Sequence, residues 1–324
     1  MLWAALTETF IGQVVIFQTV MLHAGMVTTI AYLILRKFWR KYEAKKVDQF
    51  TDRVIGILFA EPSAKRKTVL FWWDQAIYRE VLLSQIKVLT GPERDTMVRH
   101  YVEMNFFAQD CIHVKSRYWW RRLRALIRID VLALPNSRSI FLKAIEDTNS
   151  LVALEATRAL SRLPQNVSAA MLFTSLERVS LRRQTALLEV ISNIGQNYSV
   201  EAICDYLKIS KNEEMAMACV QVLGTLQGYQ VIPQLEVILK KPNEYSEAYL
   251  VKILEAIALI SDPAVINAIH PLLSHGSAKV RAHAIYTLSI LGDEKLSEIL
   301  ENFKKTDHEV EVQRVIRKIQ KSAA

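Results

Sequence analysis

The hydrophobic pattern is dominated by residues 10–35, a largely apolar stretch that contains no Asp, Glu, Lys or Arg. At about 1.5 Å per residue, a helix of this length exceeds the roughly 30 Å hydrocarbon core of a bilayer. A secretory signal peptide carries its positive charge before a shorter apolar core, whereas here the positive charge follows the stretch. The pattern therefore predicts one retained transmembrane helix in a domain of residues 1–36.

Cationic residues follow the apolar stretch at once. They are Arg36, Lys37, Arg40, Lys41, Lys45 and Lys46. Before the stretch the one charged residue is Glu8. Because cytoplasmic flanks carry an excess of Lys and Arg, the bias predicts a single-pass protein of the cell (inner) membrane, with its N-terminus outside and its body in the cytoplasm. Cations in this position also attract anionic lipid headgroups, and Arg36, Lys37, Arg40 and Lys41 are the expected contacts.

Polar and small residues share one stripe of the predicted span. The residues are Gln18, Leu22, Gly25, Thr29 and Tyr32, which recur at steps of four and three. Small residues let two helices approach closely, and a polar group in hydrocarbon seeks a partner. We expect Gln18, Gly25 and Thr29 to contact another membrane helix; the alternative is a simple anchor that tolerates them, together with Gln13 and His23.

The C-terminal two-thirds of the chain repeats one helical pattern. Its clearest copy places Val280, Ala284, Leu288 and Leu291 at spacings of four, four and three. Five further copies end at Leu132, Leu163, Ile194, Leu226 and Ile260. Successive ends lie 31 to 34 residues apart, a regularity typical of repeat proteins.

Shorter amphipathic segments lie between these copies, so each unit is predicted to be a helix–turn–helix. A two-helix unit cannot bury its apolar face alone, and stacked units share one core. The sequence therefore predicts an all-α protein, with an α-solenoid at residues 115–324 that ends in a capping helix after Val312. Residues 37–114 are predicted to be helical but irregular, with breaks at Glu61-Pro62-Ser63 and Gly91-Pro92.

The segment VRAHAIYTLSILGD at residues 280–293 resembles the second helix of a HEAT repeat, in the short form also found in phycobilisome-lyase-type HEAT-like proteins. The resemblance covers roughly residues 120–320. The family's Arg after the first valine is present as Arg281, but other residues occupy the aligned positions. These are Ala153, Gln184, Ala216 and Leu250. No arginine ladder is expected.

Positions opposite the apolar stripe are predicted to line the concave face of the solenoid. They are Arg158, Glu189, Gln221, Glu255 and Tyr286. A second column at Ser161, Ser192, Gly224, Ala258 and Ser289 is small at every step. Together they predict a groove that admits a helix or extended segment of a protein partner; a plain solvated face is the alternative.

A basic and aromatic segment precedes the first repeat. We expect Trp119, Trp120, Arg121 and Arg122 to contact lipid headgroups or a partner, because rings and guanidinium groups suit the headgroup region. A nucleic-acid groove has the same composition. A third reading places the Trp rings in the first repeat interface and leaves the arginines solvated.

The distribution of charge and the types of reactive residue restrict the possible classes of function. The net charge is +8, and the excess of Lys and Arg lies in residues 36–128, beside the predicted membrane, which makes nucleic acid an unlikely partner. Three cysteines without CxxC spacing indicate neither disulfides nor a zinc site. No catalytic motif occurs and the histidines are scattered, so we expect no enzyme, metal or cofactor.

The combined interpretation is a membrane-anchored, cytoplasm-facing HEAT-repeat scaffold that binds a protein partner. An accessory subunit of a membrane machine, such as an envelope-polysaccharide synthase or a transporter, fits this interpretation by association. The alternative that the resemblance implies is a HEAT-like lyase or DNA glycosylase, which binds a chromophore or DNA in its concave groove. A groove with aromatic rings and a carboxylate of strongly perturbed pKa distinguishes the alternative.

Overall fold

The computed structural model describes residues 2–59, 71, 73–163, 167–178 and 184–323, with the side chains of all but residues 2–13, 15, 16, 59, 184, 322 and 323. Seventeen α-helices and no β-strand occur among the described residues, which confirms the all-α prediction. The chain divides into two compact units, Met1–Asp110 and Cys111–Ala324. The predicted break at Glu61-Pro62-Ser63 and the side chain of Gln13 lie outside the described residues.

The first helix, α1, is one unbroken helix at Leu2–Phe59. Its 58 residues give a length of about 87 Å. Every side chain from Phe17 to Lys41 is exposed, which is the opposite of a core helix in a soluble protein. By length and composition this helix could cross a membrane. The helix passes residue 36 without a break, so no change of secondary structure marks the predicted boundary there.

The rest of the first unit packs against the second half of α1. The next helices are α2 at Asp74–Val88, α3 at Gly91–Glu103 and α4 at Phe106–His113. Phe50 and Val54 of α1 are buried, and the Phe50 ring meets Tyr78 of α2 edge-on at a centroid distance of 5.2 Å. The segment after the apolar stretch is therefore a structural part of the first unit. Its continuation from the span was not foreseen in the sequence.

The second unit alternates long and short helices. The long helices are α5 Trp119–Leu132, α7 Ser150–Ser161, α9 Gln184–Asn197, α11 Glu213–Thr225, α13 Glu247–Ile260, α15 Ala278–Leu291 and α17 Val310–Ala323. The short helices are α6 Arg138–Ala144, α8 Ala169–Glu177, α10 Val200–Ile209, α12 Ile232–Leu239, α14 Ile266–Ile269 and α16 Leu296–Thr306. A 3₁₀ turn at His270–Ser274 continues α14. Each long helix packs directly on the next long helix.

Burial confirms the predicted register. Ile253, Ile257 and Ile260 of α13 are all buried, as are Ala284 and Leu288 of α15. The last residues of three copies, Leu163, Leu226 and Leu291, are only partly buried because their helices end there. The apolar spacing of the sequence thus identified the shared core correctly.

Polar caps fix where the helices of the second unit begin. Asn149 accepts a hydrogen bond from the Leu151 N–H at 3.1 Å, and Asn212 accepts from the Glu214 N–H at 3.1 Å. Ser168, Ser199 and Ser246 cap three further helices in the same way. Each cap satisfies an N–H group that has no partner within its helix.

Two residues of the small column lie inside the helix packing rather than on an open groove. A Cβ on Gly224 of α11 would lie 2.8 Å from the Cα of Ala256 in α13. Ser161 of α7 is fully buried and accepts a hydrogen bond from the Asn193 amide of α9 at 3.1 Å. At these two positions the small residues allow neighbouring helices to approach, so the predicted shallow groove is wrong there.

Candidate partner-binding surface

The five residues of the predicted concave column lie on five successive long helices, from α7 to α15. Arg158 of α7 and Glu189 of α9 form an ion pair, with 3.0 Å between Nε and Oε1. They are 31 residues apart, one repeat, so the structure places equivalent positions of neighbouring repeats side by side. We call this row of five residues the polar column.

The first part of the polar column belongs to a larger ionic cluster across α5, α7 and α9. The Arg162 guanidinium lies 2.6 Å from both Asp130 of α5 and Glu189 of α9. Glu155 lies 3.4 Å from Arg158 within α7. Three carboxylates and two guanidinium groups leave the cluster with one negative charge. Arg158 and Glu189 therefore join repeats to each other, a role that the sequence pattern did not reveal.

The carboxylates of the cluster divide into two classes by environment. Burial raises the pKa of Asp130 and of Glu155, and the nearby arginines only partly offset this. Burial also acts to raise the pKa of Glu189, but hydrogen bonds from Arg162 and Arg158 outweigh it and lower that pKa below its usual range. Glu189 therefore holds its charge more firmly than Asp130 and Glu155 do.

The remaining residues of the polar column are more open. Gln221 is partly exposed, and Glu255 lies 2.8 Å from Lys252 of its own helix and 3.7 Å from His283 of α15. The Lys318 ammonium of α17 sits 4.9 Å from the centre of the Tyr286 ring. This part of the surface offers an amide, a carboxylate and a ring, and its role in binding a partner stays a prediction.

The basic and aromatic segment forms an exposed stack at the start of α5. The Tyr118 and Trp120 rings stack at 5.9 Å, and the Arg121 guanidinium lies 5.0 Å from the Trp120 ring. Trp119 and Trp120 are each 43% exposed. Neither ring is enclosed in the first repeat interface, where Leu126 and Ile129 are buried instead.

Arg122 does not belong with the exposed cations. Its guanidinium donates to both carboxylate oxygens of Asp147 at 2.7 Å and to the carbonyl oxygens of Ser116 and Arg117 at 2.9 and 3.2 Å. Only 16% of the side chain is exposed. The expectation that Arg122 contacts headgroups is wrong, because all of these donors already serve the first repeat.

Arg281 makes the same arrangement at the other end of the array. It donates to Asp307 at 2.7 Å and to the carbonyl oxygens of His275 and Gly276. Arg122 and Arg281 both stand ten residues before the last apolar residue of their repeat copy. This shared position in the repeat is the sequence signal that Arg122, like Arg281, joins two repeats.

The residues of α1 that are predicted to contact another membrane helix lie on an open surface. Gln18 is exposed and has no side-chain hydrogen bond among the described residues. No atom lies within 4 Å of a Cβ built on Gly25. Thr29 donates its hydroxyl to the Gly25 carbonyl at 2.8 Å, so this group is satisfied within its own helix. Arg36, Lys37, Arg40 and Lys41 are all exposed on the following turns.

Comparison with known proteins identifies the repeat type. The family model of HEAT repeats matches residues 238–319, so the helix pairs in this region are HEAT repeats, as the sequence pattern predicted. The comparison with curated proteins gave no match. Among the described residues, no group of three or more His, Cys, Asp or Glu is placed to hold a metal ion.

Two solved structures are similar at low identity. One is the crystal structure of an engineered protein, with a TM-score of 0.38 and 15% identity over 82% of this chain and 76% of that one. The other is human deoxyhypusine hydroxylase in complex with glycerol, with a TM-score of 0.33 and 12% identity over 86% of this chain and 97% of that one. At TM-scores this low, neither structure carries an argument about this chain.

Proposed function

We propose that this chain, whose residues 238–319 are HEAT repeats, is a membrane-anchored scaffold that binds a protein partner at the cytoplasmic face of the cell membrane. The observation that carries the proposal is α1, an unbroken helix whose apolar surface from Phe17 onward is fully exposed. Exposure of this apolar surface to water would cost much free energy, whereas the hydrocarbon core of a bilayer accommodates it. The cations after Leu35 favour a cytoplasmic body.

HEAT repeats generally mediate contacts between proteins, and the polar column offers a surface for one. Gln221 and Glu255 are at least partly exposed and are not part of the ionic cluster between α5 and α9. A membrane machine, such as an envelope-polysaccharide synthase or a transporter, would supply the partner. Trp119, Trp120 and Arg121 would add a contact to anionic headgroups, for which their exposed stack is suited.

The chemistry of the ionic cluster beside the polar column favours binding over catalysis. Asp130 and Glu155 have raised pKa values, as an acid catalyst would, but Arg162 and Arg158 face them at 2.6 and 3.4 Å. A lyase or glycosylase needs room for a chromophore or base beside such a carboxylate. In this structure the side chains of Arg162 and Arg158 occupy the space beside these two carboxylates.

The topology is tested with reporter fusions after Lys46 and with extraction of the full chain. We expect the reporter to behave as a cytoplasmic protein and the chain to stay in the membrane fraction after an alkaline wash. Export of the reporter would contradict the orientation. Release of the chain by the wash would contradict the anchor.

Partner binding is tested by site-specific photo-crosslinking in cells. A crosslinker at Gln221 or Glu255 is expected to trap one discrete membrane protein. The control position is Val237 of α12, which is also exposed but belongs to the short helices. Equal crosslinking from Val237 and Glu255 would show that the polar column has no special role.

A further inference from the structure

An aromatic cavity of about 840 Å³ lies beside α1 just after the apolar stretch. Its walls are the rings of Tyr32, Phe38, Trp39, Tyr42 and Trp73, with Leu35 and Arg36 between them. Trp73 comes from the segment that leads into α2, so two separate parts of the first unit form the cavity. The lining is almost entirely apolar, with one guanidinium group at Arg36.

A buried polar network holds Trp73 against α1. Asp74, the next residue, accepts hydrogen bonds from the Tyr42 hydroxyl at 2.7 Å and from the Lys46 ammonium at 2.9 Å. Its carboxylate is 5% exposed. Burial acts to raise the pKa of Asp74, but these two hydrogen bonds outweigh it and lower that pKa, so the carboxylate stays charged. The network therefore fixes the residue next to Trp73 against α1, and with it one wall of the cavity.

The rings around the cavity present an unusual amount of apolar surface. Phe38 and Phe71 are 68% and 67% exposed, and the Phe71 ring stacks on Trp73 at 5.0 Å with an interplanar angle of 2°. Aromatic side chains of this kind concentrate at the boundary between hydrocarbon and headgroups. The stretch of α1 from Tyr32 to Tyr42 rises about 15 Å and would cross that boundary.

We propose that this cavity binds one anionic phospholipid of the cytoplasmic leaflet, with an acyl chain between the rings and the phosphate at Arg36. The proposal rests on the membrane anchoring proposed above and names a ligand for that anchor. The cavity opens beside the apolar stretch of α1, which lipid acyl chains would surround in a bilayer. Lys37 and Arg40 are exposed on the adjacent turns and complement the negative headgroup.

The test measures lipid binding to the full chain, stripped of lipid in mild detergent, by native mass spectrometry. The probes are phosphatidylglycerol, phosphatidylcholine and glycerol phosphate without acyl chains. We expect saturable binding of one phosphatidylglycerol, weaker binding of phosphatidylcholine and no binding of glycerol phosphate. Binding of glycerol phosphate as tight as the lipid would overturn the proposal, because the rings would then have no role.

The variants separate the two parts of the site. Phe38→Ala and Trp73→Ala are each expected to weaken phosphatidylglycerol binding about tenfold. Arg36→Gln should weaken phosphatidylglycerol binding about fivefold more than phosphatidylcholine binding, because the choline group already offsets the phosphate charge of phosphatidylcholine. Phe38 lies outside the Asp74 network, so its variant keeps the test valid if Trp73→Ala fails to fold. Tyr229→Ala removes an exposed ring of the second unit to which no lipid contact is assigned, and it is the matched control.

Three further results would overturn the proposal. One is binding that never saturates and is equal in all variants, which indicates bulk lipid around α1. Another is a dimer that Phe38→Ala disrupts, which indicates that a second copy fills the cavity. The third is a chain that stays soluble and monomeric without detergent, and this one contradicts the proposed anchor as well, whereas the first two leave the anchor intact.

Discussion

At the scale of single residues, charged side chains join neighbouring repeats to each other. Arg122 and Arg281 each connect the start of a long helix to an aspartate that precedes the next long helix. In each case the same aspartate also accepts a backbone N–H two residues later, from Asn149 or Glu309. One arginine therefore fixes two consecutive repeats and the turn between them.

Replacing Arg281 with Gln is expected to lower the free energy of unfolding by about 2–3 kcal/mol. The change leaves a little-exposed Asp307 carboxylate and two carbonyl groups without their charged donor. Urea denaturation followed by circular dichroism measures it. Arg314→Gln, at an exposed position of α17, is the control and should stay within about 0.5 kcal/mol of the wild type.

The effect of Arg281→Gln should depend on pH with a defined sign. A hydrogen bond from Arg281 lowers the pKa of Asp307. A depressed pKa adds stability above the unfolded value of about 4, and the stability is lost as the pH falls through the folded value. The difference between the two proteins should therefore shrink below about pH 4. A difference that grows at acid pH would contradict the assignment.

Glu189 and Glu155 should respond in opposite ways to removal of their charge. Glu189→Gln loses hydrogen bonds from two arginines and is expected to cost about 0.5–1 kcal/mol, since the site is partly exposed. Glu155→Gln should be neutral or slightly stabilising, because burial disfavours its charged form. Denaturation at pH 7 compares them. Equal losses in both variants would show that Glu155 is as well compensated as Glu189.

At the scale of helices, close approach explains the small residues along the long helices. The Cβ that Gly224 lacks would lie 2.8 Å from the Cα and 3.0 Å from the Cβ of Ala256. A backbone atom cannot move aside without shifting α13 as a whole. The distance between α11 and α13 is therefore set by a single missing side chain.

Gly224→Ala is expected to destabilise the second unit by about 1–3 kcal/mol, in spite of the better helix propensity of Ala. Thermal unfolding measures the loss. Gly276→Ala is the matched control, because no atom lies within 4 Å of its added Cβ. A variant at Gly224 as stable as the Gly276 variant would mean that the helices can separate at little cost.

At the scale of the whole molecule, the chain joins an exposed apolar helix to an array of repeats. The side chains of α1 from Phe17 to Lys41 are exposed, while the second half of the helix is packed through Phe50 and Val54. One half of α1 is therefore exposed, and the other half is packed within the first unit. This division is the basis for treating Gln18 and Gly25 as contacts to another membrane helix.

Gln18→Leu together with Gly25→Leu should weaken self-association or co-purification with a membrane partner by about 1–2 kcal/mol. The Gln18 amide has no partner within the described chain, and the surface at Gly25 is open. Quantitative co-purification from mild detergent measures the effect. Val27→Leu, on the opposite side of the helix, is the control. Unchanged assembly in the double variant would indicate that α1 is a simple anchor without a helix partner at Gln18 and Gly25.

The sequence by itself determined the features that depend on local spacing. Apolar residues four, four and three apart predicted the long helices and their buried sides, as Ile253 and Ile257 show. The regular distance between copies predicted the repeats, and the uncharged stretch after Phe10 predicted the exposed part of α1. These signals are periodic and extend over many residues, so each is read without knowledge of the neighbouring helices.

Only the tertiary structure decided which side chains meet across repeats. Arg122 resembles the exposed arginines beside it in sequence, and its contact with Asp147 lies 25 residues away. The ion pairs of Glu189 with Arg158 and Arg162 likewise depend on the packing of α7 beside α9. Trp73 forms a cavity with α1 because the Asp74 carboxylate binds Tyr42 and Lys46. Such contacts join residues far apart in the chain, and their distances are set by helix packing rather than by local sequence.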